Sequence, residues 1–319
     1  MLLGAGFSRN WGGWLAPEVF EYLLGRPEIV DDEELRRLLW GAQSRGGFEV
    51  ALSELQSAAK ATPSADAKLK KLQAVVVGMF DEMNAGYETR PWEFSTDVAN
   101  SVSKFLTQFE AIFTLNQDLL IECHYLGASP ELHRPDRWTG AGMPAIRPSE
   151  PRASIIGQRW EILGDDQFKV DGRNQPYFKL HGSSNWTAPD GSATLVMGGN
   201  KLGAIGGSPI LAWYQREFEQ NLCSGNARLM VIGYGFRDQH INDVIVRAIN
   251  EHGLKLFVIA PEGAEIARAA NPSHGGAIYA PGPLDDALER GLAGASRRGL
   301  AEIFQGGSEL AKLYRFLQI

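Results

Sequence analysis

The 319-residue chain has only two cysteines, Cys123 and Cys223. They are too far apart in sequence to form a Cys-x-x-Cys pair, so neither a disulfide framework nor a cysteine-based zinc site is expected. Both read as buried free thiols. No run approaches the roughly 18 apolar residues needed to cross a bilayer, which excludes a transmembrane helix. The amino terminus lacks the basic and apolar regions of a secretory signal, so the expected location is cytoplasmic. Positive charge is also short. A net charge of -7 argues against a broad nucleic-acid surface, because such binding depends on lysines and arginines neutralising phosphates. The densest basic cluster, Lys68, Lys70 and Lys71, lies on a helical pattern and reads as a solvated face. Internal repeats and low-complexity tracts are missing too.

What remains is an ordinary globular composition, 44% hydrophobic and 22% charged, with short apolar runs that each end in a polar or glycine-rich turn. Met1 to Leu3 reads as a strand running into Gly4-Ala-Gly-Phe-Ser8. Glycines at such a turn let backbone N–H groups face a phosphate. Arg9 stands where the dinucleotide fingerprint wants its third glycine, so a plain strand-to-helix turn is an equal reading.

From Pro17 to about Phe109 apolar residues recur at helical spacing. Leu35, Leu38, Leu39 and Ala42 form one stripe, and Phe48, Leu52 and Leu55 a second. Leu69, Leu72, Val76, Met79, Phe80 and Met83 form a third, and Val98, Val102, Phe105, Leu106 and Phe109 a fourth. The block is too long for one crossover helix, so a helical insertion over about 15–109 is expected.

Ile112 to Leu115 is a short strand, followed by Asn116-Gln-Asp118 and a helix in which Asp118 fits an N-cap. Residues 127–160 are rich in proline, glycine and arginine and read as a long surface loop. Strand-like stretches over 160–170, broken by Gly164 to Asp166, lead to Pro176-Tyr-Phe-Lys-Leu-His-Gly-Ser-Ser-Asn-Trp186. There Tyr177 and Lys179 fall on one side of a strand and Phe178 and Leu180 on the other, which leaves His181 at its carboxyl end. Taken alone, that histidine reads as a structural, hydrogen-bonded residue. Gly182 permits a close backbone approach.

Further strands are expected at 194–197, 228–232 and 254–260, and a weak one at 277–279. Residues 198–207 form a glycine-rich stretch, a helix follows over 212–222, and Gly233-Tyr-Gly-Phe-Arg-Asp238 turns into another helix. Pro261 opens the next, and a carboxyl-terminal helical segment covers about 283–319. The fold class is α/β: a Rossmann-like doubly wound parallel sheet in a single domain over 1–319, with the helical insertion and no zinc ribbon. In such a sheet the four polar turns gather along one edge, where ligands bind.

Gly-Ala-Gly-Phe-Ser at 4–8, Thr-Leu-Asn-Gln-Asp at 114–118, Lys-Leu-His-Gly-Ser at 179–183 and Gly-Tyr-Gly-Phe-Arg-Asp-x-x-Ile at 233–241 together resemble the sirtuin-like NADases of bacterial antiphage defence systems. The resemblance implies that Gly4, Ala5, Gly6 and Ser8 cradle the pyrophosphate of NAD+, with Phe7 beside them. Asn116 would hold the ribose and the attacking water, and Asp118 the nicotinamide end. His181 would pair with a ribose hydroxyl, flanked by Gly182 and Ser183. Gly233, Tyr234, Gly235 and Asp238 would line the adenosine side.

A sirtuin-type deacylase carries a Pro-Asp-Phe-Arg segment after its glycine turn and a zinc ribbon. This chain has Asn10-Trp-Gly-Gly-Trp14 and neither cysteine pair, so deacylation is disfavoured. The expected activity is hydrolysis of NAD+ to nicotinamide and ADP-ribose, with NAD+ as substrate and no metal. The alternatives are a non-catalytic subunit that binds NAD+ or ADP-ribose, and a sirtuin-type ADP-ribosyl transferase or deacylase. The resemblance also implies gating by self-assembly as a homo-oligomer or by a partner chain such as a HerA-type hexameric ATPase. No contact with nucleic acid or membrane is expected.

Overall fold

Strands whose residues are apolar on both faces need cover on both faces, which a parallel sheet flanked by helices supplies. The computed structural model describes residues 1–97, 101–126, 137–150, 155–188, 191, 193–199, 201–266 and 282–318. Its main sheet has seven strands, all paired in parallel. They are β1 (Leu2–Leu3), β2 (Ile112–Thr114), β3 (Gly140–Gly142), β6 (Asn174–Lys179), β9 (Arg228–Ile232), β10 (Lys255–Ile259) and β11 (Leu292–Ser296). Their order is β11-β10-β9-β1-β2-β6-β3. The two-residue β1 is central, since Leu2 pairs with both Phe113 and Val231. Later strands are added on either side of it, so the topological switch point lies at its carboxyl end.

After α1 (Ala5–Arg9), the expected helical insertion consists of α2 (Ala16–Leu24), α3 (Pro27–Val30), α4 (Glu33–Gln43), α5 (Phe48–Ala59), the 26-residue α6 (Pro63–Glu88) and α7 (Val102–Leu106). Leu35, Leu39, Ala42, Leu52, Leu72, Val76 and Met79 are almost fully buried, whereas Leu38 and Leu69 are half-buried. Val98 lies outside the described residues. Asp32 caps α4 through Leu35 N–H, and Ser101 caps α7 through Lys104 N–H. The segment Asn10 to Trp14 feeds an aromatic stack in which Trp11 lies on Trp92 at 4.6 Å and on Phe94 at 4.8 Å.

The chain departs from the sequence reading in several places. The long loop expected over 127–160 contains β3 and β4 (Ile146–Pro148). The turn after His181 is itself a strand, β7 (Gly182–Thr187), which joins β4, β5 (Trp160–Ile162) and β8 (Ala193–Leu195) in a second sheet of order β4-β5-β7-β8. The glycine-rich 198–207 stretch contains α8 (Lys201–Gly206), ahead of α9 (Pro209–Leu222). The carboxyl-terminal segment is not purely helical, because β11 sits between α11 (Pro283–Gly291) and the pair α12 (Leu300–Phe304) and α13 (Ser308–Leu317). Pro261 opens a turn into the short 3-10 segment Gly263–Glu265, and the weak strand expected at 277–279 lies outside the described residues. Cys123 and Cys223 are free, as expected, but half-buried rather than buried.

Candidate functional site

The four polar turns stand at the carboxyl ends of four adjacent strands, in the order β9, β1, β2, β6. Thr114 of β2 pairs with Lys179 of β6, so Asn116 and His181 each lie two residues past neighbouring paired positions. On the other side of β1, Leu3 pairs with Ile232, which brings Gly4 beside Gly233.

The turn after β1 is built by backbone packing. A Cβ on Gly4 would fall 2.6 Å from the Gly233 oxygen, and one on Gly6 2.7 Å from Gly233 Cα. Gly233 itself has φ +64, and a Cβ there would meet Gly6 C at 2.3 Å. These glycines therefore let two turns touch. The Gly6 N–H donates to the Gly233 oxygen at 2.9 Å and the Phe7 N–H to the Gly4 oxygen at 2.8 Å. Ala5 is the exposed point of the turn, whereas Phe7 is buried against Trp11.

Asn116 is locked onto this turn. Its Nδ2 donates to the Gly4 carbonyl and to Ser8 Oγ, both at 3.0 Å, which spends both hydrogens and leaves Oδ1 as an acceptor. Ser8 Oγ in turn donates to Asp118 Oδ2 at 2.8 Å, and the Leu120 N–H donates to Asp118 Oδ1 at 3.1 Å. Asp118 is thus almost wholly buried, with both oxygens committed inside the protein. Burial pushes its carboxyl above the usual range, against the pull of Lys179 and these hydrogen bonds.

Beneath the turn, Lys179 Nζ reaches Glu122 Oε1 at 2.6 Å and the Asp118 carbonyl at 2.5 Å, with both charged side chains at 0% exposure. From the insertion, Asn84 Oδ1 accepts the Leu119 N–H at 2.9 Å, and its Nδ2 donates to Ser184 Oγ at 3.3 Å.

His181 sits where the chain leaves the main sheet for the second one. Its imidazole is 3% exposed, and its Nε2 lies 3.2 Å from His240 Nε2 at the start of α10 (Gln239–His252). Burial brings the His181 pKa down to about 3. Asp238 opposes this, while Lys201 and His240 reinforce it. Burial also lowers His240. Both rings are therefore neutral near neutral pH, and one Nε2–H donates to the other ring.

Asp238 occupies the N-cap position of α10, yet its side chain does not cap. Instead its Oδ1 accepts from Lys201 Nζ at 2.7 Å, and Lys201 also pairs with Glu49 of α5 at 2.9 Å. Burial works against the Asp238 carboxylate, but the Lys201 ammonium and its hydrogen bond hold it below the usual range. Burial likewise opposes the Lys201 ammonium, and Glu49 and Asp238 more than offset it. Asp238 thus stands with the histidines.

Several expected cofactor contacts face inward. A Cβ on Gly182 (φ +75) would lie 2.1 Å from the Thr194 oxygen, so the close approach there is made by β8. Ser183 is fully buried and donates to Asn185 Oδ1 at 2.9 Å. Tyr234 is 4% exposed and its hydroxyl donates to Asn242 Oδ1 at 3.0 Å. Gly235 has room for a side chain. Sequence reasoning did not reach His240, Lys201, Glu49, Asn84 or Glu122. The available signals were an Asp-x-His at a helix start and an asparagine inside the apolar stripe of α6. A cavity of about 310 Å³ lined by Arg228, Lys255, Phe257 and Phe316 lies at the opposite, amino-terminal ends of β9 and β10 and is separate from this site.

The sequence profile of the SIR2-like domain matches residues 110–274, a span that includes Asn116, Asp118, His181, Asp238 and His240. No curated protein matches the chain.

Proposed function

The chain belongs to the SIR2-like domain family, and on that premise we propose that it is an NAD+ glycohydrolase that releases nicotinamide and ADP-ribose. SIR2-like domains are in general NAD-dependent enzymes. The observation that carries the finer reading is the side-by-side placement of Asn116 and His181 at the ends of β2 and β6, next to the Gly4 turn.

Nicotinamide leaves a cationic pyridinium as a neutral molecule, so its departure needs no general acid. The site must stabilise an oxocarbenium-like transition state and aim a water at the anomeric carbon. Asn116 suits the water, because its Nδ2 is fixed by Gly4 and Ser8 while Oδ1 can accept a hydrogen bond. His181 suits the ribose. With a pKa near 3 it is a poor store for a full proton, so it accepts a hydrogen bond from a hydroxyl and places electron density beside the developing cation. Asp118, enclosed as it is, positions Ser8 and through it Asn116. Ala5, the exposed point of the glycine turn, is the proposed pyrophosphate contact. Ser8, expected beside it, is 2% exposed with its hydroxyl held between Asn116 and Asp118 and braces the turn instead, while Gly233 and Asp238 stay on the proposed ligand-lining side.

Deacylation is disfavoured because Cys123 and Cys223 cannot form a zinc ribbon. The four motifs resemble those of sirtuin-like NADases of bacterial defence systems. On that resemblance we propose that the chain is a cytoplasmic effector whose activity is gated by self-assembly or by a partner chain such as a HerA-type hexameric ATPase.

The test is nicotinamide release from NAD+ by the purified chain, with and without such an ATPase. His181→Ala and Asn116→Ala should each keep the circular dichroism of the parent and lower release by about 100-fold or more. Undiminished release in both variants removes the site assignment. Loss of the acyl group from an acetylated peptide would favour the deacylase instead.

A further inference from the structure

His181, Asp238 and His240 each offer one ligand atom, and these atoms lie within 4.8 Å of one another. The two Nε2 atoms are 3.2 Å apart. A tetrahedral zinc ion with bonds of about 2.0–2.1 Å holds two imidazole nitrogens roughly 3.3 Å apart, so the rings already stand at the spacing one ion sets. The donors come from three places in the fold: the crossing point after β6, the turn after β9 and the start of α10. Two imidazoles and a carboxylate form the donor set of open zinc sites, with a fourth position left for water or substrate. By donor softness the same set favours late first-row dications over magnesium or calcium. Two features oppose a dication: the Lys201 ammonium, 2.7 Å from Asp238 Oδ1, and the amino-terminal end of α10. Glu49, 2.9 Å from Lys201, can retain that ammonium when Asp238 turns to an ion.

We propose that His181, Asp238 and His240 bind a late transition-metal dication, zinc in the first instance, and that the filled site is inactive. An ion and the ribose hydroxyl each replace the contact between His240 and His181 Nε2 and each need that nitrogen's lone pair, so a coordinated His181 cannot accept the hydroxyl. The binding half stands on the geometry alone, and the silencing half rests on the glycohydrolase reading.

The test begins with calorimetric titration of the metal-free full chain with ZnCl₂ in the absence of NAD+. The expected result is one ion per chain, no comparable signal from MgCl₂, and affinity at least about 10-fold weaker in His240→Ala and Asp238→Asn. Lys201→Ala should bind more tightly, because a competing cation has gone. A variant that merely loosened the fold would not gain affinity. No zinc binding, or binding unmoved by His240→Ala and by Lys201→Ala, overturns the site.

In the activity arm, zinc should suppress nicotinamide release by the parent chain and EDTA should restore it, while His240→Ala should resist suppression. Stoichiometric binding with undiminished release overturns the silencing. Absence of release from metal-free chain, with or without partner, counts against the glycohydrolase reading and leaves the calorimetric result to decide the site.

Discussion

A neutral imidazole kept at 3% exposure ties the stability of the fold to pH. In the unfolded chain His181 titrates near its ordinary 6.5, whereas in the folded chain it does so near 3. Between those values the unfolded state holds the extra proton, so stability falls as pH drops through this window, by at most about 1.4 kcal/mol per unit from this group, and is flat above it. Urea unfolding in EDTA from pH 7 to pH 4 should show a shallower slope for His181→Gln than for the parent. Parallel slopes would show that the ring is not held neutral. Of the residues at this site, His181 and Asn116 were legible because each ends an apolar run. His240 and Lys201 were not, because a histidine in the first turn of an amphipathic helix and a lysine after glycines both read as solvated. What sets them at the site is the approach of His240 to His181 and of Lys201 to Asp238 and Glu49, contacts between residues far apart in sequence.

Among the elements, the buried Lys179–Glu122 pair anchors β6 to the turn that carries Asn116. Removing one partner leaves an uncompensated buried charge, so Lys179→Met or Glu122→Leu alone should cost about 3–5 kcal/mol, and the double variant clearly less than the sum. Denaturant midpoints of the three variants form the cycle that checks this. Gly233→Ala should also be severe, with a loss above about 2 kcal/mol, since the new methyl would meet Gly6 and Phe7 backbone at 2.3 Å in a left-handed conformation. Thermal unfolding reads it directly.

The strands that sequence periodicity found were those with buried apolar runs, such as Arg228-Leu-Met-Val-Ile232. Those it missed are the three-residue Ile146-Arg-Pro148, too short to show a period, and Gly140-Ala-Gly142, Gly182-Ser-Ser-Asn-Trp-Thr187 and Leu292-Ala-Gly-Ala-Ser296, made mostly of small or polar residues. They are strands because a neighbouring backbone is there to pair with, which no local pattern records.

Over the whole molecule, the helical insertion grips the proposed site from one side. Glu49 holds Lys201, Gln56 Nε2 reaches the Met197 carbonyl at 3.4 Å, and Asn84 ties the turn after β2 to β7. A partner that shifts α5 or α6 therefore acts directly on the groups around His181 and Asn116. Nicotinamide release should rise when a HerA-type ATPase assembles with the chain, and equal rates with and without it would remove that form of gating. The insertion was legible from its apolar stripes, but its reach into the site was not, because Glu49, Gln56 and Asn84 are polar residues on helices whose packing partner lies far away in sequence.

The most direct measurement pairs NAD+ binding by calorimetry with nicotinamide release from the same metal-free sample, alone and with the ATPase. Saturable binding and release that His181→Ala abolishes are the expected result. Binding without any release, under every one of these conditions, would contradict it.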